Sequence, residues 1–200
     1  MFYSFEQILQ HKITRAEENE MRKVIFGGAN SLDNYFARED NSVDWLMWSD
    51  EAAELMKDFW PRFDTMVMGR KTYDVAVQST PKSKKKKTKN PYGMTTYVFS
   101  RTLKAGKDNG VEIVNSDPAK FVAKLKKQKG KDICVMGGGD LAKTLFDAGV
   151  IDEIGFNIHP VLLGSGIPLF HKMKKQIDLE LLECRPFKNG CVYVLYRVKK

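Results

Sequence analysis

Short apolar segments alternate with helix signals along most of this chain, and this alternation restricts the fold more than any other feature. Six such segments have strand character, and they cover residues 23–29, 65–68, 96–99, 111–114, 133–136 and 153–159. The stretches between most of them are long enough to cross back over a sheet as helices. We therefore predict an α/β fold with a mostly parallel central sheet flanked by helices.

The end of the chain has a different pattern, which predicts an antiparallel C-terminal hairpin. Residues 179–184 and 191–198 resemble strands, and Pro186 and Asn189-Gly190 lie between them. Turns of this composition join neighbouring antiparallel strands. We expect the hairpin to finish one edge of the sheet.

Capping residues give the predicted helices their boundaries. Ser49 is a favourable N-cap, and Asp50 and Glu51 follow it in the first turn, where the helix dipole stabilises carboxylates. This helix is expected to run to about Trp60. The other helices are predicted after Gly69, from Pro118 to a closing Gly130, and from Leu141 to Ala148.

Residues 1–20 precede a domain that we assign to residues 21–200. Ser4 and Gln7 match a capping box, so we predict a helical N-terminal extension. The segment resembles neither a secretory signal nor a transit peptide, and no apolar run reaches the roughly 20 residues that cross a bilayer. We expect a cytoplasmic protein that does not bind membranes.

The cysteines and histidines do not form a recognisable metal motif. Cys134, Cys184 and Cys191 lie in strand-like stretches, and we expect all three to pack in the core as small hydrophobic residues. No pair of cysteines has the spacing of metal ligands, and no two histidines are four residues apart. The sequence therefore predicts no metal site.

One lysine-rich tract dominates the charge. Six lysines between residues 82 and 89 supply +6 of the formal net charge of +8, so the rest of the chain is nearly neutral. We interpret residues 82–91 as a solvated, self-repelling surface loop. Attraction of nucleic acid is the alternative, but the tract lacks the interleaved aromatic residues that stack on bases, so we do not expect nucleic acid as a partner.

A glycine follows the end of a predicted strand at two places. At the first, Gly69 is followed by Arg70, Lys71 and Thr72, which begin a helix. Free N–H groups and the dipole at a helix N-terminus attract phosphate, and the two cationic side chains add charge. A tight turn without a ligand is an equally ordinary use of such a glycine.

The second turn contains three consecutive glycines. It reads Gly137, Gly138, Gly139, Asp140 and Leu141, and it again leads into a helix. Neither turn matches G-x-G-x-x-G or a P-loop, so each alone is weak evidence. Two such turns at the carboxyl ends of neighbouring strands predict a phosphate-binding site, because α/β sheets bind ligands there.

These segments resemble the dihydrofolate reductase superfamily. Val67–Thr72, Val98–Arg101 and Val135–Leu141 have its order and approximate spacing. The similarity is closer to the branch that contains the C-terminal reductase domain of the bifunctional riboflavin-biosynthesis deaminase/reductase. Ser31–Tyr35 resembles its Ser-Leu-Asp-Gly-Tyr segment, and His159–Phe170 resembles its Pro-Val-Leu-Leu-Gly-x-Gly-Ile-Pro-Leu-Phe segment. The resemblance implies a dihydrofolate-reductase-like fold and an NADPH-dependent reductase.

The resemblance also implies roles for individual residues. The pyrophosphate and adenosine of NADPH would contact Gly69, Arg70, Lys71 and Thr72, and the 2′-phosphate would contact Ser100 and Arg101. Gly137, Gly138, Gly139, Asp140 and Leu141 would pack against the pyrophosphate and the nicotinamide ribose. Substrate would lie near Ala29, Asn34 and Tyr35. Asp33 is the candidate proton donor, with an Asx turn as its structural alternative and water as the other proton source.

The expected reaction is hydride transfer to a C=N or C=O bond of a small heterocyclic or sugar-like substrate. True dihydrofolate reductases carry a carboxylate on the helix after the first strand, but their spacing leads here to Ala53. We interpret the nearby Asp50, Glu51 and Glu54 as ordinary helix charges, which argues against folate. The alternatives are a nucleotide-binding protein without turnover and a dihydrofolate reductase proper. The resemblance further implies a homodimer.

Overall fold

The computed structural model describes residues 21–79, 93–108 and 110–200. The predicted N-terminal helix and the lysine-rich loop lie outside these residues. Within them, a large twisted sheet is covered by helices on both faces. The strands, named in chain order, are β1 (Val24–Ser31), β2 (Tyr35–Ala37), β3 (Phe63–Gly69), β4 (Thr95–Phe99), β5 (Gly106–Asp108), β6 (Val111–Val114), β7 (Asp132–Met136), β8 (Glu153–His159), β9 (Ile167–Pro168), β10 (Leu179–Pro186) and β11 (Val192–Val198).

In the described part of the chain, nine of these strands form one sheet, in the order β10-β11-β8-β1-β7-β3-β4-β6-β5. The six strands from β8 to β6 are parallel, and the pairs β8–β11, β10–β11 and β5–β6 are antiparallel. The predicted mostly parallel sheet with an antiparallel C-terminal hairpin is confirmed. The sequence did not predict β5, because Gly106–Asp108 is fully exposed and has no apolar residue to mark it.

The helices are α1 (Asp50–Phe59), α2 (Arg70–Ser79), α3 (Pro118–Lys126) and α4 (Gly139–Asp147). A 3-10 turn, Trp60–Arg62, follows α1 directly. Ser49 caps α1 as predicted, because its hydroxyl accepts a hydrogen bond from the Ala52 N–H at 3.1 Å. Asp117 caps α3 in the same way through the Lys120 N–H, at 3.0 Å.

Two predicted helix boundaries were wrong, the last residue of α3 and the first residue of α4. Helix α3 ends at Lys126, so Gly130 does not close it. Gly130 has a φ of +156°, and a Cβ there would lie 2.6 Å from Asp64 Oδ2. Helix α4 begins at Gly139 rather than at Leu141, because Gly138 takes a left-handed conformation and starts the helix early.

The two faces of the sheet form separate cores because successive side chains of a strand point to opposite sides. Val24 and Phe26 pack with residues of α3 and α4, whereas Ile25 packs on the other face with Phe59 of α1 and Tyr73 of α2. Burial on both faces explains why the central strands are continuously apolar in sequence.

The prediction that all three cysteines are buried was wrong for Cys184. Cys134 and Cys191 are buried, but Cys184 is exposed. It lies on β10, an edge strand with most of its side chains open to solvent. Among the described residues, no helix is long and apolar enough to span a membrane, and no three His, Cys, Asp or Glu side chains are grouped as metal ligands.

Candidate active site

The two glycine turns are neighbours in space. Strands β3 and β7 are parallel partners, with Met68 opposite Met136, so both turns leave the same edge of the sheet. Gly137 has a φ of +60°, and a Cβ there would lie 2.7 Å from the hydroxyl oxygen of Thr72. Contact with Thr72 thus joins the second turn to the first. The sequence predicted this adjacency correctly.

A cleft of about 700 Å³ opens beside these turns. The N-termini of α2, α3 and α4 all border it, through Arg70, Pro118 and Gly138. Helix α4 has no side-chain N-cap, since Gly138 supplies none, so its first N–H groups are available to an anion. A Cβ at Gly69 would meet no atom within 4 Å, which leaves open space beside that glycine.

The charges around the cleft are mainly positive. Arg70, Lys71, Arg101 and Lys143 line it, against a single lining carboxylate, Asp140. Asp140 Oδ1 lies 3.0 Å from His171 Nδ1. With the helix N-termini, these side chains produce a site suited to a phosphorylated ligand.

The predicted cofactor residues fall into two groups. The larger group lines the cleft and consists of Gly69, Arg70, Lys71, Thr72, Ser100, Arg101, Gly138, Asp140 and Leu141. Gly137 and Gly139 are not in its lining, and both instead make room for side chains of the protein. Gly137 accommodates Thr72, and Gly139 accommodates the His171 imidazole, which a Cβ would overlap.

The two arginines of the cleft differ in whether their guanidinium groups are already paired with a carboxylate of the protein. Arg70 Nε donates to both oxygens of Asp74, at 2.6 and 2.7 Å. Arg101 is exposed and makes no ion pair with the described residues. The Ser100 hydroxyl accepts hydrogen bonds from the N–H groups of Thr102 and Leu103, at 3.2 and 3.0 Å, so it shapes the turn that carries Arg101.

A second, smaller cavity lies on the sheet face that α1 covers. Its volume is about 180 Å³, and its walls are largely apolar. We call it the α1 pocket; its floor includes Gly27, Gly28 and Ala29 of β1, and its walls include Met56 and Trp60. Ala29, which was predicted to lie near substrate, is part of this floor. Met136 lines this pocket, and Gly138, two residues further on, lines the cleft.

The polar wall of the α1 pocket comes from Asn157, His159 and Tyr193. His159 Nδ1 accepts a hydrogen bond from the Met47 N–H at 3.1 Å. Asn157 Nδ2 lies 3.3 Å from His159 Nε2, and the buried Asn157 Oδ1 has no partner among the described residues. Burial raises the pKa of Tyr193 to about 12, so its hydroxyl is neutral and able to donate.

Asp33 occupies a different environment from the one predicted. Its carboxylate accepts hydrogen bonds from the Ser31 hydroxyl at 2.6 Å and from the N–H groups of Leu163 and Gly164 at 3.2 and 2.8 Å. These bonds, with the Ser31 hydroxyl contributing most, lower the pKa of Asp33. It lines neither cavity. The geometry favours the structural alternative, a carboxylate that fixes two loops, over a proton donor.

Asn34 and Tyr35 also lie outside both linings. Asn34 has a φ of +64°, which asparagine tolerates, and its carbonyl accepts a hydrogen bond from the Leu169 N–H at 2.9 Å. Tyr35 pairs with Pro168 in the small sheet of β2 and β9. Both residues therefore connect the segment after β1 to Pro168 and Leu169.

The helix α1 presents no carboxylate to the α1 pocket. Ala52, Met56 and Phe59 face it, whereas the Ala53 predicted from family spacing is exposed on the outer side. Glu54 pairs with Lys57, and Glu51 accepts from the Lys188 N–H. The acidic residues of α1 are surface charges, as predicted.

Sequence reasoning missed several residues of both cavities. In the cleft these include Asn115 and Ser116, which follow β6 and obey the same strand-end rule as the glycine turns. Applying that rule to β6 was enough to find them. Asn157 and His159 lie two residues apart on β8, Tyr193 lies opposite Asn157 on the neighbouring strand β11, and no local pattern marks them.

The fold and these two cavities define the class of protein, an α/β protein with a cationic cleft of about 700 Å³ beside a small apolar pocket. A family model described as the RibD C-terminal domain matches residues 22–193, and the chain belongs to that family. The chain is 35% identical to the uncharacterized protein YyaP of Bacillus subtilis, over 88% of this chain and 95% of that protein. It is 36% identical to YwjB of the same organism, over 83% and 92%.

Solved structures agree with the family. A putative riboflavin biosynthesis protein from Shewanella sp. PV-4 is similar with a TM-score of 0.72 and 25% identity, over 89% of this chain and 99% of that one. Dihydrofolate reductase from Enterococcus faecalis, solved with NADP(H), shares the fold with a TM-score of 0.62 and 15% identity, over 90% and 99%. The predicted dihydrofolate-reductase-like fold and family branch are confirmed.

The burial of His159 predicts a pH-dependent stability. Its residue is only 2% exposed, and burial lowers its pKa below the ordinary value of about 6.5. The unfolded chain therefore binds this proton more tightly, so the free energy of unfolding should fall as pH decreases below about 6.5. Urea unfolding at a series of pH values measures this.

A His159→Gln variant should lose that part of the pH dependence. The control is His171→Gln, because His171 is a more exposed residue on the cleft side of the molecule. A His159→Gln slope between pH 5 and 6.5 equal to that of the parent protein would contradict the assignment.

Proposed function

We propose that this protein is a reductase that uses NADPH to reduce a small heterocyclic or sugar-like substrate. The observation that carries the proposal is the junction of the two cavities at the end of β7, where Met136 lines the apolar pocket and Gly138 lines the cationic cleft. A phosphorylated coenzyme held by the residues of the cleft would supply its hydride beside the α1 pocket, which the substrate would occupy. Membership of the RibD C-terminal domain family supports the reductase class.

The residues present fit such a coenzyme. The uncapped N-terminus of α4 and the open space beside Gly69 suit a pyrophosphate. Lys71 adds positive charge, whereas Lys143 is paired with Asp147. Arg101 lines the cleft and is exposed, so its guanidinium would suit a 2′-phosphate. This last contact is the one that distinguishes NADPH from NADH.

The chemistry divides between coenzyme and protein. When bound, NADPH supplies one hydride to the carbon of a C=N or C=O bond, becoming NADP⁺, and one proton from water completes the reduction. The α1 pocket aligns the acceptor and excludes other solvent. Asp33 has no part in this scheme, because three hydrogen bonds from the protein hold its carboxylate away from both cavities.

Two measurements test the proposal. Calorimetry should detect binding of NADPH more tightly than NADH, and absorbance at the reduced nicotinamide band should fall when a suitable acceptor from a heterocycle and sugar panel is added. Tight NADPH binding without oxidation by any acceptor would favour the nucleotide-binding alternative. Absence of binding to either coenzyme at millimolar concentration would overturn both.

We also propose a cytoplasmic homodimer, and the outer edge strand β10 is the surface we assign to it. Leu181 is 53% exposed on that strand, and the strand's outer backbone groups have no neighbour within the described sheet. A Leu181→Lys variant is expected to shift the sedimentation-equilibrium mass from two chains to one. Glu180→Lys, on the other face of the same strand, is the matched control. A parent mass of one chain would contradict the dimer.

A further inference from the structure

We propose that the α1 pocket selects a planar heterocycle that is uncharged and carries no phosphate. This inference rests on the proposed function, because it names the substrate class of the same site. It also narrows that function, since it excludes sugar phosphates, the phosphoribosylamino-uracil of riboflavin biosynthesis and cationic pterins.

The described lining of the α1 pocket contains no carboxylate, ammonium or guanidinium group. None of the described residues that line it is Asp, Glu, Lys or Arg. The acidic residues of α1 are engaged on the outer surface, Glu54 with Lys57 and Glu51 with the Lys188 N–H. A phosphate or a protonated ring placed here would lose its hydration without gaining a counter-charge, which is unfavourable.

The walls favour a flat ring over a sugar. Met56, Phe59, Trp60 and Met136 present aromatic and thioether surface to the cavity. Trp48 also lines it and is 82% exposed, so its ring is available to stack on a ligand at the mouth. A sugar would leave several hydroxyl groups against these apolar walls without hydrogen bonds. The volume of about 180 Å³ is close to the roughly 150 Å³ that accommodates one benzene-sized molecule, so one ring or a compact pair of rings fits.

One polar handle fixes the orientation of such a ring. Asn157 Nδ2 lies beside His159 Nε2, and Asn157 Oδ1 is buried without a partner among the described residues. His159 Nδ1 accepts from the Met47 N–H, so the neutral ring carries its proton on Nε2. In the present orientation Asn157 Nδ2 and this Nε2–H are two donors that face each other. With the amide turned over, Oδ1 accepts from Nε2–H, and the NH₂ group is left for a carbonyl or ring nitrogen of the ligand. The Tyr193 hydroxyl adds a second neutral donor.

Binding of matched probes tests the inference without requiring turnover. The first pair is quinazoline-2,4-dione, which is uncharged, and 2,4-diaminoquinazoline, which binds as a ring-protonated cation. The second pair is 5-aminouracil and 5-aminouridine 5′-monophosphate. Calorimetry on the full chain at neutral pH should give the uncharged member of each pair an affinity about 10-fold higher or more. A preference for the cation or for the phosphate overturns the inference, as does equal affinity.

An engineered carboxylate sharpens the test. Ala52→Asp places an acid on the face of α1 that borders the pocket, and it should reverse the preference, so that 2,4-diaminoquinazoline binds roughly 10- to 100-fold more tightly than the dione. Ala53→Asp makes the same change one residue further on, at an exposed position, and should leave the parental preference intact. If circular dichroism shows that Ala52→Asp is unfolded, Met56→Glu, at a partly exposed position, takes its place. An unchanged preference in the folded variant overturns the inference.

Separate readouts distinguish failure of this inference from failure of the proposed function. Preferential binding of the dione and of 5-aminouracil supports the inference even if no NADPH is oxidised. NADPH oxidation by a phosphorylated or cationic acceptor, with that acceptor binding more tightly, overturns the inference and leaves the reductase proposal in place.

Discussion

Replacing Arg101 with glutamine is expected to weaken NADPH binding by roughly 10- to 150-fold and to leave NADH binding almost unchanged. Arg101 lines the cleft and is exposed, and no described carboxylate pairs with it. Its guanidinium is therefore free to form charge-assisted hydrogen bonds with a 2′-phosphate, which NADH lacks. Glutamine keeps much of the length and polarity but removes the charge.

Calorimetric titrations with both coenzymes measure the effect. Arg185→Gln is the control, because Arg185 is on the edge strand β10 and pairs there with Glu183. Arg70 is a less selective candidate, since its Nε already donates to Asp74. A similar loss of affinity for NADPH and NADH in Arg101→Gln would mean that the 2′-phosphate lies elsewhere.

Replacing Gly27 with alanine is expected to destabilise the fold by about 3 kcal/mol. Gly27 of β1 pairs with Gly155 of β8, and a Cβ at Gly27 would lie 2.6 Å from the Gly155 carbonyl oxygen. A backbone atom in the middle of a sheet cannot move aside without separating the two strands. A change of this size corresponds to a decrease in Tm of roughly 6–12 °C for a domain of this length.

Gly69→Ala is the matched control for the stability measurement. A Cβ at Gly69 meets nothing within 4 Å, and its φ is not in the left-handed region. We therefore expect its stability to stay within about 0.5 kcal/mol of the parent protein. Equilibrium urea denaturation compares the two variants. Equal stability of Gly27→Ala and Gly69→Ala would refute the close contact between β1 and β8.

Local sequence signals were sufficient for most of the elements. Val111–Val114 and Glu153–His159 were predicted with the bounds that the structure has, because each is a short apolar run between turn residues. Ser49 marked a helix start, since an N-cap bonds an N–H three residues away and needs no distant partner. The last residues of helices were predicted less well, as Gly130 shows, because a glycine is also found where two distant segments approach closely.

The position of the cleft was also largely predictable. Parallel strands end at a common edge, so two glycine turns that follow strands are brought together by the fold rule alone. Arg70, Lys71 and Arg101 each stand within two residues of the end of a strand, and all three line the cleft. Gly137 and Gly139 belong to the second glycine turn, but they make room for the side chains of Thr72 and His171. These contacts join residues far apart in the sequence, so the local pattern did not predict them.

The sequence by itself determined the alternation of strands and helices and the strand-end position of the anion cleft, because both follow from contacts between residues close along the chain. Only the tertiary structure decided the α1 pocket and the place of Asp33. Asp33 accepts hydrogen bonds from Leu163 and Gly164, about 130 residues later, and lines neither cavity. The α1 pocket combines Ala52, Asn157 and Tyr193 from three separate elements. Their meeting depends on the order of strands in the sheet, which local propensity does not encode.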